Sequence, residues 1–311
     1  MNQATANNPQ NSAPAASALT IDALVVDGQF PLTADDIKFV VNLAIKAGAI
    51  AVTMREGVKV EEKTSATDLV TCADKALSDL IMAELKARFP KDNVLSEEAP
   101  WISQDDGQRR WITDPIDGTK YYVDNTGKYC VMIGLEHKGR SLFGCFYMPA
   151  YKQVLFGGPG LGAFRLRNVD PTAGAVGALE PAGPAREALP SGRPVKVLLS
   201  KNDLAVSGWL KDLPGVELVT ATSIGIDVFE LSMGIADVFV KVRPTLGYWD
   251  TAAPAPVAQA MGFEVGTEKD DFIGYGYENP RHDSNVVIGC PGSLAWWRQT
   301  LALRPAEPPA K

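Results

Sequence analysis

The segment WITDPIDGTKYY, residues 111–122, decides how this chain of 311 residues folds. Its first residues, Trp111 to Thr113, form a short apolar run typical of a buried strand, and the Asp-Pro and Asp-Gly pairs that follow are turn formers. Taken alone, the segment is compatible with an ordinary surface turn. Because Asp114 comes directly after a strand, and ligands collect at strand ends in layered α/β folds, the pattern also indicates a ligand site.

Two amphipathic helices are predicted before this segment. Thr33 and Asp36 have the spacing of a capping box, and apolar residues recur at helical spacing from there to Gly57. A second helix follows DLVTCAD at 68–74 and ends near Phe89-Pro90. The polar residues 58–67 between the two helices are predicted to be a mobile loop.

Short apolar runs separated by Gly, Pro and Asp predict a sheet in the middle of the chain, at residues 93–96, 111–113, 131–135, 142–147 and 154–156. Residues 168–194 are rich in Ala, Gly and Pro, which predicts an exposed loop. A second half then starts with the strand VKVLLS at 195–200. It continues with a helix or strand at 226–233 and a strand at 236–242.

These patterns predict a mixed α/β (α+β) protein built in layers. The expected organisation is a disordered tail at 1–32, a metal-binding N-terminal half at 33–167, the loop at 168–194, a C-terminal α/β half at 195–300 that completes the site, and a tail at 301–311.

Composition narrows the function. Hydrophobic residues make up 46% and charged residues 22% of the chain, as in ordinary globular proteins. The net charge of −7 repels nucleic acid and anionic membranes, so we expect neither as a partner. The start of the chain has no basic or apolar signal segment, no stretch has eighteen uninterrupted apolar residues, and the four cysteines have no CxxC pair. We therefore expect reduced thiols and a cytoplasmic protein.

Carboxylates stand at the ends of several predicted elements. Asp74 and Asp250 could simply cap helices, and Glu97 with Glu98 could lie in a solvated loop. If Glu97, Asp114, Asp117 and Asp250 converge within roughly 5 Å, their mutual repulsion amounts to something on the order of 20 kcal/mol at an effective dielectric constant near 20. Only cations could hold such a site together, and a set of oxygen ligands selects Mg²⁺ or Mn²⁺.

An anion would be bound beside these carboxylates. Gly118 and Thr119 can direct backbone N–H groups at a bound anion where a helical turn starts, and Lys120 adds a positive charge. Carboxylates for cations next to amides for an anion indicate phosphate-ester chemistry.

Four segments together resemble the inositol monophosphatase superfamily: DLVTCAD at 68–74, SEE at 96–98, DPIDGT at 114–119 and YWDTAA at 248–253. The resemblance runs from about residue 33 to 295. It implies a layered αβαβα sandwich of the inositol monophosphatase and fructose-1,6-bisphosphatase type. It also implies a Mg²⁺-dependent, Li⁺-sensitive phosphomonoester hydrolase that acts on a small phosphorylated substrate. Family members occur as monomers and as dimers, so a homodimer is compatible with it.

The resemblance also implies roles for individual residues. A first Mg²⁺ would be held by Glu97, Asp114 and the carbonyl of Ile116. A second would be held by Asp114, Asp117 and Asp250, and a third, weaker ion by Glu97. Thr119, hydrogen-bonded to Asp74, would orient the attacking water and help to deprotonate it. No covalent phosphoenzyme is expected.

The substrate is less closely defined. Lys120 and RPTLGYWDTAA resemble the 3′(2′),5′-bisphosphate nucleotidase branch, which acts on 3′-phosphoadenosine 5′-phosphate, and Arg243 would favour a second phosphate. Arg243 could equally cap a strand end. Asp227 instead resembles the inositol monophosphatase branch. The alternatives are an inositol monophosphatase, a broad sugar-phosphate phosphatase, or a binding protein that has lost catalysis. Pro256 should also kink or delay the helix after Asp250.

Overall fold

The computed structural model describes residues 24, 26, 28–56, 60–65, 68–100, 108–171, 178–184 and 187–304. The helices in these residues are α1 (Ala34–Met54), α2 (Cys72–Arg88), α3 (Thr119–Val123), α4 (Lys201–Val206), α5 (Ile224–Ser232), α6 (Tyr248–Thr251), α7 (Pro254–Ala260) and α8 (Ser293–Leu301). The strands are β1 (Val60–Ser65), β2 (Asp68–Thr71), β3 (Asn93–Ser96), β4 (Arg110–Asp117), β5 (Cys130–His137), β6 (Arg140–Met148), β7 (Gln153–Gly158), β8 (Gly162–Leu166), β9 (Leu179–Pro181), β10 (Val195–Leu199), β11 (Val216–Thr220), β12 (Val238–Lys241), β13 (Glu264–Gly266) and β14 (Val286–Gly289).

Helix α1 begins as its sequence predicts. The Thr33 hydroxyl accepts the Asp36 N–H at 3.2 Å, and Asp36 accepts the Thr33 N–H at 3.0 Å, which completes the capping box. By length and composition alone α1 could cross a membrane, but half of its most apolar window is buried inside the fold. A Cβ at Gly48 would overlap the Tyr147 ring, so α1 lies directly on β6.

The predicted mobile loop at 58–67 is wrong for the residues that the structure describes. Strand β1 pairs antiparallel with β2, placing Val60 opposite Thr71 and Glu62 opposite Leu69. Strand pairing is made by backbone groups, so a polar sequence without an apolar run can still form a hairpin. Residues 58, 59, 66 and 67 lie outside the described residues.

The first large sheet has seven strands in the order β3-β4-β5-β6-β7-β8-β9. All five strands predicted in the middle of the chain are confirmed as parts of this sheet. Strand β9 comes from the segment 168–194 that the sequence predicts as a loop, and it pairs with β8 through Phe164 and Pro181. A three-residue edge strand is too short to leave a periodic pattern in the sequence. Residues 172–177 and 185–186 lie outside the description.

The second large sheet has five strands in the order β11-β10-β12-β14-β13 and confirms the strand predicted at Val195. The ambiguous element at 226–233 is helix α5. Three buried clusters separate the layers. One joins α1 and α2 to the seven-stranded sheet, one fills the space around α5 and α7 between the sheets, and one lies between the five-stranded sheet and α8. The fold is thus a mixed α/β protein with the expected αβαβα layers.

The N-terminal segment differs in part from the predicted disordered tail. Leu24 and Leu32 are buried, and Phe30 contacts the Phe143 ring edge to face at 6.5 Å between centroids. The last part of the segment 1–32 therefore packs on the core, because its apolar side chains cover the seven-stranded sheet. Residues 1–23 and 305–311 lie outside the described residues.

Candidate active site

Strand β4 carries two of the predicted metal ligands to one end of the seven-stranded sheet. All eight of its residues are buried. Asp114 pairs with Met132 and Asp117 with Cys130, so the register shifts by one residue between them. Side chains three positions apart normally point to opposite faces of a strand, but one extra residue brings them to the same face. The bulge that contains Pro115 therefore places both carboxylates on one side.

Asp250 reaches the same place from helix α6. Ligand oxygens of Asp114, Asp117 and Asp250 all lie within 4.8 Å of one another. The Asp250 carboxylate also accepts the Gly247 N–H at 2.6 Å, so it caps its own helix as well. Asp250 therefore does cap its helix, as the simpler alternative predicts. Its carboxylate also lies in the cluster with Asp114 and Asp117.

The prolines after Asp250 interrupt the helix as expected. Helix α6 ends at Thr251, and α7 begins at Pro254. Pro256 has no N–H for the Ala252 carbonyl, and the Ser141 hydroxyl donates to that carbonyl at 2.6 Å instead. This contact from β6 fixes the break, so Asp250 keeps its place beside β4.

The carboxylates of this cluster resist ionisation. Burial, together with the charges of Glu97, Asp117 and Asp250, raises the pKa of Asp114 well above its usual value. Burial raises the pKa of Asp117 to about 6, and burial with the Asp117 charge raises that of Asp250 to about 7. Buried negative charges of this kind need a positive charge among them, and donors that are all oxygen suit a hard divalent cation. The residues present therefore fit Mg²⁺ or Mn²⁺.

Glu97 and Ile116 flank this cluster. Glu97 follows β3, its N–H donates to the Thr113 carbonyl at 3.1 Å, and its charge contributes to the raised pKa of Asp114. Glu97 is not among the three carboxylates that lie within 4.8 Å of one another. The Ile116 carbonyl accepts the Thr119 hydroxyl at 3.2 Å, which keeps it beside the start of α3.

Thr119 and Asp74 form the predicted pair. The Thr119 hydroxyl lies 3.1 Å from Oδ1 of Asp74, while Oδ2 of Asp74 accepts the Thr71 N–H at 2.8 Å. Asp74 therefore caps α2 and contacts Thr119 at the same time. Gly118, with a φ of +89°, gives the turn into α3 its left-handed conformation, in which other residues are strained.

The structure places the three predicted substrate side chains differently. The Lys120 ammonium is exposed and pairs with Asp124 at 2.9 Å, and Arg243 pairs with Asp203 at 3.4 Å. Asp227 is buried and accepts the Thr222 N–H at 2.9 Å. Burial and the negative charge of Asp117 raise the pKa of this carboxyl well above its usual value. Only Asp227 is thus turned inward, whereas Lys120 and Arg243 are bound to partners of their own.

Sequence reasoning missed several contacts of the cluster. The Gly225 N–H and the Cys130 thiol both approach Asp117. Behind Asp250, the Thr251 hydroxyl lies 2.7 Å from Nε2 of His282. The position of Cys130 after the predicted turn was the only available signal, and it says nothing about the direction of its side chain.

A layered fold with clustered buried carboxylates next to a helical turn is typical of enzymes that hydrolyse phosphate esters with the help of metal ions. The model of the inositol monophosphatase family matches residues 33–282, and the chain belongs to this family. It is accordingly a phosphoric monoester hydrolase. The family is generally metal-dependent, and its members act on small phosphorylated substrates.

Similar proteins carry different names. The 3′(2′),5′-bisphosphate nucleotidase CysQ of Escherichia coli is 30% identical over 233 residues, covering 73% of this chain and 88% of that protein. Human inositol monophosphatase 2 is 31% identical over 233 residues, covering 71% and 76%. The histidinol-phosphatase of Chlorobaculum parvum is 32% identical over 236 residues, covering 73% and 83%. These identities support membership of the family. Because they are nearly equal for three proteins with different names, they leave the substrate open.

Solved structures agree on the fold. The extragenic suppressor protein suhB from Bartonella henselae aligns with a TM-score of 0.68 at 22% identity, covering 86% of this chain and 98% of that one.

Proposed function

We propose that this chain is a Mg²⁺-dependent, Li⁺-sensitive 3′(2′),5′-bisphosphate nucleotidase that hydrolyses 3′-phosphoadenosine 5′-phosphate. The observation that carries the proposal is the convergence of Asp114, Asp117 and Asp250 within 4.8 Å, beside the bonded pair Thr119 and Asp74. The nucleotidase branch is supported by the similarity to CysQ and by Lys120 directly after DPIDGT.

In this proposal the carboxylates hold the cations. One Mg²⁺ would be held by Glu97, Asp114 and the Ile116 carbonyl. A second would be held by Asp114, Asp117 and Asp250, and Glu97 would contribute to a third, weaker site. Mn²⁺ fits the same donors. Bound Mg²⁺ would supply charge neutralisation at the phosphoryl oxygens and lower the pKa of water. The backbone N–H groups of Gly118 and Thr119 are proposed to bind the phosphate.

Thr119 and Asp74 are proposed to handle the proton. The Thr119 hydroxyl has one hydrogen, which it directs at Asp74 and the Ile116 carbonyl. Its oxygen can therefore accept a hydrogen bond from the attacking water. Asp74 can take the proton that Thr119 passes on, so the water attacks phosphorus directly without a covalent enzyme intermediate.

The second candidate is an inositol monophosphatase or a broad sugar-phosphate phosphatase. It is favoured by Asp227, whose buried carboxylate lies near enough to Asp117 for the two charges to interact. A cationic side chain at this position would suit a second phosphate better. Arg243 contacts Asp203 through its Nε at 3.4 Å, so it would bind a second phosphate either through its other N–H groups or by leaving this carboxylate. A binding protein without catalysis is the remote alternative, and the intact pair of Thr119 and Asp74 argues against it.

The deciding experiment compares phosphate release from 3′-phosphoadenosine 5′-phosphate and from inositol 1-phosphate, each with Mg²⁺ and then with added Li⁺. We expect faster, Li⁺-sensitive release from the nucleotide. A much larger kcat/KM for inositol 1-phosphate would exclude the nucleotidase. Binding of Mg²⁺ without cleavage of any phosphomonoester would favour the non-catalytic alternative.

The proposal extends to the surroundings of the enzyme. A net charge of −7 favours small substrates over nucleic acid or membrane partners, and a cytoplasmic location suits four cysteines that form no disulfide. A homodimer is compatible with the family, and size-exclusion chromatography with light scattering would test it.

A further inference from the structure

We propose that Cys130 and Gly225 are positioning residues that hold the Asp117 carboxylate in the orientation in which it binds a cation. The inference rests on the metal-binding role proposed for Asp117. It adds two residues that no motif of the chain contains: Cys130 begins β5 of the seven-stranded sheet, and Gly225 lies in the first turn of α5.

Both contacts fall on the same carboxylate oxygen. Oδ2 of Asp117 accepts the Gly225 N–H at 2.8 Å, and the Cys130 thiol lies 3.4 Å from this oxygen. Cys130 is fully buried and Asp117 is only 5% exposed, so water does not replace these donors readily. The carboxylate cannot rotate without losing both contacts, which fixes the direction of its lone pairs.

Gly225 is required because of the close approach, not because of its backbone angles. Its φ is not positive. A Cβ at this position would overlap Sγ of Cys130, and it would lie 3.2 Å from Sδ of Met132 and 3.3 Å from Oδ2 of Asp117. The sulfur therefore occupies the space that a side chain at 225 would need, and the two residues are matched in size.

This matching makes the two positions depend on each other. Gly225→Ala must push the thiol away from Asp117 or move the start of α5, and either movement changes the carboxylate. Cys130→Ala removes the sulfur that the new methyl group would overlap, and leaves this methyl group in tight contact with Met132 and Asp117 only. Substitutions that share one space are expected to be strongly non-additive.

The chain offers a matched control in Cys145. This thiol is also fully buried, and it lies on the adjacent strand β6, where Cys145 pairs with Ile133. It belongs to the apolar cluster on the α1 side of the sheet, away from the carboxylates. Cys145→Ala thus removes an equivalent buried sulfur without touching Asp117.

The test is Mg²⁺ binding by the full-length protein, measured by titration calorimetry. We expect Cys130→Ala to weaken Mg²⁺ binding about tenfold, in line with other groups that orient metal ligands. Cys130→Ser, which keeps a donor, should recover most of the affinity. Gly225→Ala should lose at least as much as Cys130→Ala, and the double variant should bind better than Gly225→Ala alone. Cys145→Ala should bind Mg²⁺ as the wild type does.

Kinetics provide a second readout. The Mg²⁺ concentration for half-maximal phosphate release should rise more than kcat falls in Cys130→Ala. If Gly225→Ala does not fold, the comparison of Cys130→Ala, Cys130→Ser and Cys145→Ala still decides the matter.

Two failures can be told apart. If Asp117→Asn loses Mg²⁺ while Cys130→Ala and Gly225→Ala bind it as the wild type does, the positioning role is wrong and the proposed role of Asp117 stands. If Asp117→Asn binds Mg²⁺ unchanged, the metal-binding role of Asp117 is wrong, and the positioning role falls with it.

Discussion

The hydroxyl of Thr119 donates to Oδ1 of Asp74 across 3.1 Å, joining two residues that lie 45 positions apart in the chain. The other oxygen of Asp74 accepts both the N–H and the hydroxyl of Thr71, at 2.8 and 2.6 Å. One carboxylate therefore has its orientation fixed by the start of α2 and fixes in turn the orientation of Thr119. This arrangement, together with the Ile116 carbonyl 3.2 Å away, fixes the position of a hydroxyl beside the carboxylate cluster.

Replacing Thr119 by Val should lower kcat by about 10²- to 10⁴-fold, because the group that orients and deprotonates water is lost. The thermal midpoint should change little, since Val has nearly the same shape. Thr119→Ser keeps the hydroxyl and should retain much of the activity. A kcat of Thr119→Val equal to that of the wild type would show that the hydroxyl has no part in catalysis.

Asp74→Asn should lower both activity and stability. The amide removes a negative charge from the N-terminus of α2, an interaction typically worth about 0.3–1 kcal/mol, and it is a poor proton acceptor for Thr119. Urea unfolding and steady-state kinetics would measure the two effects separately. An active but destabilised variant would restrict Asp74 to its capping contact.

Asp114→Asn should abolish phosphate release and yet leave the fold intact. Burial and the neighbouring carboxylates raise the pKa of Asp114, so removing its charge relieves repulsion when no metal is bound. We expect a thermal midpoint in EDTA that is equal to or above that of the wild type. Unchanged activity would remove Asp114 from the metal site.

Mg²⁺ should stabilise the wild type and not Asp114→Asn. A ligand that binds only the folded state adds about 2.7 kcal/mol when its concentration is a hundred times its dissociation constant. Thermal unfolding at increasing Mg²⁺ concentrations would record the effect, with Ca²⁺-free buffer and an equal ionic strength of NaCl as the control. A midpoint that does not respond to Mg²⁺ would contradict the proposed function.

His282 should make the protein sensitive to acid. Burial lowers the pKa of His282 to about 4, below the 6.5 of an unfolded histidine. Between these values the unfolded chain binds a proton that the folded protein excludes, so stability falls as the pH falls from 6.5 to 4, by roughly 3 kcal/mol in all. Above pH 6.5 this residue adds no pH dependence.

Urea unfolding of His282→Gln at pH 7 and pH 4.5 would measure this effect. The variant should lose less stability between the two pH values than the wild type does. His137→Gln is the matched control, because His137 is a half-buried histidine at the end of β5, before the turn into β6. An equal loss in the wild type and in His282→Gln would refute the assignment.

The sequence predicted those parts of the fold that leave a local pattern. The capping box at Thr33, the apolar strands and the layered class follow from residues near one another in the chain. The strand β9 and the hairpin of β1 and β2 could not be predicted in this way. They pair through backbone groups, and their sequences contain no apolar periodicity that would mark them as strands.

In the candidate site, too, the sequence predicted which residues matter locally but not which side chains meet across distant elements. The motifs named Asp114, Asp117 and Asp250, which the structure brings together, although their roles as ligands stay a prediction. The preference of Arg243 for Asp203 and the contact of Cys130 with Asp117 depend on which side chains meet across distant elements. No spacing rule contains that information.

The link between Asp117 and Gly225 has a consequence for how the protein is made. The amide that holds this carboxylate is synthesised 108 residues after it, and α6 follows later still. On the ribosome the seven-stranded sheet can therefore assemble while its acidic end is still without its amide donor and its third carboxylate. The candidate active site is therefore expected to be completed only after the seven-stranded sheet has formed, and nascent chains cut short before residue 225 should be folded in part and inactive.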